Sequence, residues 1–111
     1  MNKPKLKAYE YHAVFCCGNK CVESGERTLF NHLRNRLMVL GMDTVRVNRA
    51  GCLGVCEGGP IMVVYPGGYW YCGLDAAAID RIIENHFRHG EAVEELLFHK
   101  GGERFGGDRR G

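Results

Sequence analysis

Two pairs of cysteines are the residues of this chain whose types and spacing are most suited to chemistry. Cys52 and Cys56 have three residues between them and lie in a glycine-rich segment, and Cys16 and Cys21 have four residues between them. Thiolate sulfur is the ligand that iron–sulfur clusters and many zinc sites use. The two pairs lie about thirty residues apart, so we expect the fold to bring them together into one metal site.

The first pair can be formed in two ways, because Cys17 directly follows Cys16. Successive side chains of a β-strand point to opposite faces, so these two neighbours cannot both face one site. On the residues alone, the partner of Cys21 is either Cys16 or Cys17.

An iron–sulfur cluster suits these cysteines better than zinc does. Four-cysteine zinc sites usually stabilise small domains without another core, whereas this chain has apolar strands and helices that need no zinc to fold. The glycines at 51, 54, 58 and 59 allow backbone N–H groups to approach sulfur without a Cβ in the way. A zinc-stabilised binding module is the alternative from a different class, and a dithiol pair is disfavoured because no Cys-x-x-Cys occurs.

The composition indicates one soluble domain in a reducing compartment. The chain has 111 residues and a net charge of only +2, which argues against nucleic-acid or membrane binding. No apolar run approaches the roughly 18 residues of a membrane span, and no signal-peptide core follows the N-terminus. We therefore predict a cytoplasmic protein whose six cysteines serve metal or redox chemistry rather than disulfides.

Hydrophobic periodicity predicts the elements that position the cysteines. Leucines and Phe30 recur at three and four residues between positions 26 and 40 and predict a helix that ends at Gly41, with Ser24 as a possible cap. Asp75 is the expected N-cap of a second helix that ends at Gly90. The remaining predictions are strands at 11–15, 44–48, 61–65 and 69–72, a Pro66-Gly67-Gly68 turn between the last two, and strand or short-helix character over 92–98.

The order of these elements predicts an α/β fold, a thioredoxin-like mixed four- to five-stranded sheet flanked by two main helices. We expect a flexible N-terminal arm at 1–9, the domain at 10–99 and a flexible Gly/Arg-rich tail at 100–111. Pro60 stands where that fold places a proline, which predicts a cis peptide bond before it.

Other reactive residues suggest no catalytic site. We expect Cys72 to be a buried apolar filler and His86, on the apolar side of the second helix, to be a hydrogen-bonded core residue. The sequence contains no recognisable Ser/His/Asp set, paired catalytic carboxylates or phosphate-binding loop. An enzyme is therefore not predicted.

Several motifs over residues 10–99 resemble a known family, the thioredoxin-like [2Fe–2S] ferredoxins. More distantly, the chain is similar to the small [2Fe–2S] subunit of respiratory NADH dehydrogenase and related hydrogenases. The matching pieces are His12-Ala-Val-Phe-Cys16, Cys21, Gly51-Cys52-x3-Cys56-x2-Gly59-Pro60, Val63-Val64-Tyr65-Pro66-x-Gly68-x-Trp70-Tyr71, and Gly90-Glu91-x-Val93-Glu94.

The resemblance implies one [2Fe–2S] cluster per chain with Cys16, Cys21, Cys52 and Cys56 as ligands. Cys17 and Cys72 are then additional cysteines. It further implies a homodimeric one-electron carrier that serves redox partner proteins. A subunit of a larger NADH dehydrogenase or hydrogenase is the alternative, because the first loop is short, as in that subunit; the lack of an N-terminal helical extension favours the free carrier.

Overall fold

A computed structural model describes residues 8–16, 25–51, 59–101 and 103–104 of the chain. Its strands are β1 (Tyr11–Cys16), β2 (Val45–Ala50), β3 (Met62–Tyr65), β4 (Tyr69–Tyr71), β5 (Leu97–Lys100) and β6 (Glu103–Arg104). Its helices are α1 (Glu26–Leu40) and α2 (Ala76–Ile82), followed by a π-helical turn at Ile83–Phe87 and a 3₁₀ turn at Glu94–Leu96.

The strands form one mixed sheet in the order β2-β1-β3-β4-β5-β6. β1 and β2 are parallel, and every other neighbouring pair is antiparallel. The predicted apolar strand is an interior one, between β1 and β4, and its residues Met62 to Val64 are buried. The two-residue β6 was not predicted, and it lies in the segment assigned to the tail.

Both helices pack on the same face of the sheet. Their leucine and isoleucine side chains share one core cluster with alternate residues of the strands. Two side chains of α1, His32 and Arg36, contact Asp80 of α2 at 2.9 and 3.5 Å. Among the described residues, therefore, the helices cover one face of the sheet and the opposite face has no helix on it.

The predicted helix ends are mostly observed. Gly41 ends α1 with a φ of 69°, a left-handed conformation that glycine adopts without a Cβ penalty. Asp75 caps α2, because its Oδ1 accepts a hydrogen bond of 2.8 Å from the backbone N–H of Ala78. The N-cap of α1 is Gly25, which has no side chain to accept a bond, and not the predicted Ser24; Ser24 itself lies outside the described residues.

The second helix differs from the prediction in its hydrogen bonding. Helical structure continues to position 89 as expected, but Ile83–Phe87 forms a π-helical turn. The segment after it contains both predicted structures, a 3₁₀ turn and then strand β5.

The turn between β3 and β4 follows the predicted glycine chemistry. Gly67 and Gly68 have φ values of 106° and 66°, which side-chain-bearing residues rarely adopt. The peptide bond before Pro60 is cis, as predicted, and the bond before Pro66 is also cis, which was not predicted.

Candidate metal centre

The two cysteine-bearing segments start and end at the same end of the sheet. β1 and β2 run parallel, so their last residues, Cys16 and Ala50, are neighbours. β3 runs antiparallel to β1 and therefore begins there; the N–H of Cys16 donates to the carbonyl of Ile61 just before β3 at 3.1 Å. The start of α1 is attached to the same end, because Glu26 contacts Arg49 of β2. All four chain ends that flank segments 17–24 and 52–58 thus converge.

Cys16 is the candidate ligand that the structure describes. It is fully buried, with 0% of its surface exposed, at the last position of β1. Its side chain lies on the sheet face opposite the helices, because Ala13 and Phe15 pack into the helix-side core and Cys16 packs in a second cluster with Ile61. The other predicted ligands, Cys21, Cys52 and Cys56, lie outside the described residues, as does Cys17.

Cys72 lies in register with Cys16 across the sheet, with Ile61 between them. Cys16 pairs with Ile61, and the register of β3 with β4 places Cys72 beyond Ile61. Its thiol is half-buried rather than fully buried and lies 3.8 Å from the carbonyl oxygen of Leu96, to which it donates a weak hydrogen bond. Burial raises the pKa of the Cys72 thiol, so the neutral S–H is favoured. The expected apolar packing is present, against the Cys16–Ile61 cluster with Trp70.

His86 is a hydrogen-bonded core residue, as predicted. It is buried on the helix side of the sheet, and its Nδ1 lies 2.7 Å from the hydroxyl of Tyr71. That hydroxyl also accepts a hydrogen bond of 3.1 Å from the backbone N–H of Val93. Burial lowers the pKa of His86 to about 4 and raises that of Tyr71 to about 12, so both groups are neutral near pH 7.

The sequence analysis missed an ion pair at the sheet end that carries the cysteine segments. Glu26, fully buried, accepts two hydrogen bonds of 2.9 Å from the Nε and Nη2 of Arg49. The Arg49 guanidinium also lies over the ring of Phe30, 5.8 Å from its centroid. Glu26 is the second residue after segment 17–24, and Arg49 stands three positions before Cys52.

These surroundings fit an iron–sulfur cluster. A buried thiol stands where the ends of both cysteine segments meet, with Ile61, Trp70 and Phe98 forming an apolar patch beside it. Such a patch limits the access of water, which is one of the factors that set the potential of a cluster. Two tetrahedral irons require four thiolates, which is the number that the predicted ligands Cys16, Cys21, Cys52 and Cys56 would supply.

No group of three His, Cys, Asp or Glu side chains that could hold a metal ion occurs within the described ranges. Those ranges contain one of the four predicted ligands. Across the same ranges, no helix is long and apolar enough to cross a membrane.

The chain is similar to known proteins, although no family model matches it. A 2Fe–2S ferredoxin from Clostridium pasteurianum is 34% identical over 96 residues, which cover 77% of this chain and 93% of the relative. A 2Fe–2S ferredoxin from Aquifex aeolicus is 34% identical over 104 residues, which cover 83% and 93%.

A comparison with solved structures points to the same kind of protein as these relatives. A thioredoxin-like [2Fe–2S] ferredoxin from Aquifex aeolicus superposes with a TM-score of 0.79 at 29% identity, and the match covers 87% of this chain and 97% of that one. An NAD⁺-reducing [NiFe]-hydrogenase matches with a TM-score of 0.61 at 22% identity and covers 15% of that chain, a likeness of fold alone. The sheet order, the placement of Cys16 and these relatives confirm the predicted fold, and the chain belongs to the thioredoxin-like [2Fe–2S] ferredoxin family.

Proposed function

We propose that this protein is a one-electron carrier that binds a single [2Fe–2S] cluster through Cys16, Cys21, Cys52 and Cys56. When bound, such a cluster takes up and releases one electron. The observation that carries the proposal is the convergence of all four ends of the cysteine segments at one end of the sheet, with the Cys16 thiol buried there. The family relatives, which are 2Fe–2S ferredoxins, support the same cofactor.

The residues of the chain would bind and orient the cluster, and the cluster itself would carry the electron. Cys16 is fixed by two strands, since β1 pairs with β2 on one side and with β3 on the other. A ligand on such a rigid element changes position little between oxidation states, and this keeps the reorganisation energy of electron transfer small. We propose no enzymatic activity, because the carrier function requires only the cluster and a surface for redox partner proteins.

A role as the [2Fe–2S] subunit of a larger NADH dehydrogenase or hydrogenase is the second candidate. The fold likeness to the hydrogenase favours it, although that likeness covers a small part of the larger chain. A stand-alone carrier is favoured by the two ferredoxin relatives, each of which the match covers to 93%. Purification without an affinity tag from the native host distinguishes the two: the free carrier elutes without larger subunits.

The ligand assignment is tested by visible absorption and EPR spectra of protein purified without oxygen, before and after dithionite. We expect a red-brown protein that partly bleaches and gives a rhombic spin-half signal. Cys16→Ser, Cys21→Ser, Cys52→Ser and Cys56→Ser should each bleach or shift the spectrum, because serine replaces a thiolate with a poorer iron ligand.

Cys17→Ser and Cys72→Ser are the matched controls and should leave the spectrum unchanged. Loss of the cluster in Cys17→Ser with retention in Cys16→Ser would contradict the choice at the first pair. A colourless wild-type protein with one zinc per chain would contradict the electron carrier and favour a zinc-stabilised module.

We further propose that the carrier is a homodimer in the cytoplasm. The described cysteines, Cys16 and Cys72, are present as thiols and not as disulfides, which suits a reducing compartment. On the sheet face without helices, Tyr65 is exposed and Trp70 and Phe98 are partly buried, and these side chains suit contact with a second copy.

A further inference from the structure

We propose that Glu26 and Arg49 form a positioning pair for the [2Fe–2S] cluster, by holding the start of α1 against the end of β2. The inference rests on the proposed ligand set, because it concerns the distance between the two cysteine segments. Glu26 is the second residue after segment 17–24, and Arg49 is the third residue before segment 52–58. A bond between these two residues therefore joins one end of each segment.

The geometry of the pair is specific. Two parallel hydrogen bonds of 2.9 Å connect the Glu26 carboxylate with the Nε and Nη2 of Arg49. This bidentate arrangement fixes direction as well as distance, which a single contact does not. Glu26 is 0% exposed and Arg49 is 27% exposed, so water competes little for the carboxylate.

The surrounding aromatic rings restrict the pair further. Arg49 is paired in register with Phe15, the residue before Cys16. The ring of Phe30 lies against Phe15 edge to face at 6.0 Å and beneath the Arg49 guanidinium at 5.8 Å. The pair thus forms one packed unit with the residue that precedes the described cysteine ligand.

Stability alone does not account for a buried carboxylate at this position. Glu26 lies on the buried side of α1 with three leucines, Leu29, Leu33 and Leu37. Replacing a buried ion pair with well-packed apolar residues is often neutral or stabilising. A leucine at position 26 would continue the core, whereas a glutamate there specifies one orientation of α1 relative to β2.

The charges of the pair should also affect the reduction potential of the cluster, which a purely structural role would not. While Glu26 is paired, it offsets the positive charge of Arg49 near the sheet end that carries the cysteines. Glu26→Gln removes one negative charge from the sheet end where the cysteine segments begin and end, and a less negative surrounding favours the reduced, more negative state of a cluster. The reduction potential of this variant should therefore rise.

The experiment compares Glu26→Gln and Arg49→Lys with the wild type, all purified without oxygen with the cluster bound. Glu95→Gln is the matched control, because Glu95 forms an exposed ion pair with Arg81 between α2 and the turn before β5. The readouts are the rate of cluster loss to an iron chelator, the midpoint potential, and the thermal unfolding midpoint.

We expect both variants at the sheet end to lose the cluster about 10- to 100-fold faster, by analogy with the 10- to 100-fold loss of metal affinity that follows when a group that orients metal ligands is removed. The potential should rise in Glu26→Gln and change less in Arg49→Lys, which keeps the charge but loses the bidentate contact. Glu95→Gln should match the wild type in all three readouts.

A merely structural pair predicts a different result. The unfolding midpoint would fall in Glu26→Gln and Arg49→Lys while the potential and the rate of cluster loss stayed at wild-type values, and that outcome would overturn the inference. If Glu26→Gln does not fold, Arg49→Lys still decides through its rate of cluster loss. A colourless wild-type protein would overturn the proposed function and this inference with it, whereas a coloured wild type with unchanged variants would overturn the inference alone.

Discussion

Tyr71 and His86 are the polar residues at the centre of the helix-side core. Their side chains form a hydrogen bond with each other, and the Tyr71 hydroxyl also accepts a hydrogen bond from the backbone N–H of Val93. The His86 ring is surrounded by aromatic side chains, with ring centroids 5.4 Å away at Tyr11 and 4.7 Å away at Tyr69. None of these neighbours carries a negative charge that could stabilise a protonated imidazole, so the core favours the neutral form.

This environment predicts a specific loss of stability in mild acid. The pKa of His86 is lowered by burial from 6.5 to about 4, so the unfolded chain takes up the proton more readily than the folded chain. The contribution of His86 to stability is therefore complete above pH about 6.5 and is lost as the pH falls from there towards 4. Between pH about 7.5 and about 5.5 the free energy of unfolding should fall by about 1 kcal/mol from this group.

Urea unfolding of His86→Asn and His89→Asn at these two pH values checks the prediction. His86→Asn should lose this part of the pH dependence, because asparagine does not titrate. His89 is exposed on the same helical segment and lies 3.4 Å from Glu84, so its variant is the control for removing a histidine outside the core. An equal slope in the wild type and both variants would assign the acid sensitivity to other groups.

The sequence indicates that Glu26 and Arg49 lie on buried faces of their elements, but it does not show that they contact each other. Glu26 falls three residues before Leu29, which continues the buried spacing of α1, and Arg49 falls two residues after Val47, on the apolar side of β2. A charged side chain on a buried face needs a partner of opposite charge. Which partner it takes depends on how α1 crosses β2, and helical and strand periodicity carry no information about that crossing.

At the scale of elements, α2 depends on its N-cap. It runs for seven residues from Ala76 to Ile82 before the hydrogen bonding changes to a π-helical turn. A short helix has few internal hydrogen bonds, so its terminal N–H groups form a large share of its polar groups. Asp75 satisfies one of them, at Ala78.

Asp75→Ala should therefore lower the free energy of unfolding by about 1 kcal/mol, the usual cost of removing such a cap. Asp75→Asn keeps the accepting oxygen and loses only the interaction of the charge with the helix dipole, so it should cost less. Urea unfolding of the two variants beside the wild type measures both values. An equal loss in both would show that the charge, and not the hydrogen bond, stabilises the helix.

Sequence patterns predicted the elements well because each pattern records which face of an element is buried. Leu29, Leu33 and Leu37 marked the buried side of α1, and the wholly apolar β3 marked an interior strand. The π-helical turn was missed because a shift of one residue in hydrogen bonding hardly changes the apolar spacing. The bulge between Trp70 and Tyr71, where β4 pairs with β5, depends on the partner strand, which local sequence does not specify.

For the molecule as a whole, the uneven coverage of the sheet is the main feature. Parallel strands normally have both faces covered, yet in the described part of the chain the helices cover one face of the β1–β2 pair. The opposite face carries the partly buried Trp70 and Phe98 and, farther along β3, Tyr65 with 45% of its surface exposed. A second copy of the chain could cover this face and leave the helix side in solvent.

We therefore predict that Tyr65→Arg weakens the proposed homodimer. Tyr65 is exposed on the sheet face without helices, so an arginine there places a positive charge in the proposed interface without entering the core of the monomer. Val39→Arg is the matched control, because Val39 is 78% exposed on α1 at the helix side. Light scattering at micromolar concentrations should give twice the mass of one chain for the wild type and Val39→Arg, and a lower average mass for Tyr65→Arg. A monomeric wild type would refute the dimer itself, and a dimeric Tyr65→Arg would place the interface elsewhere.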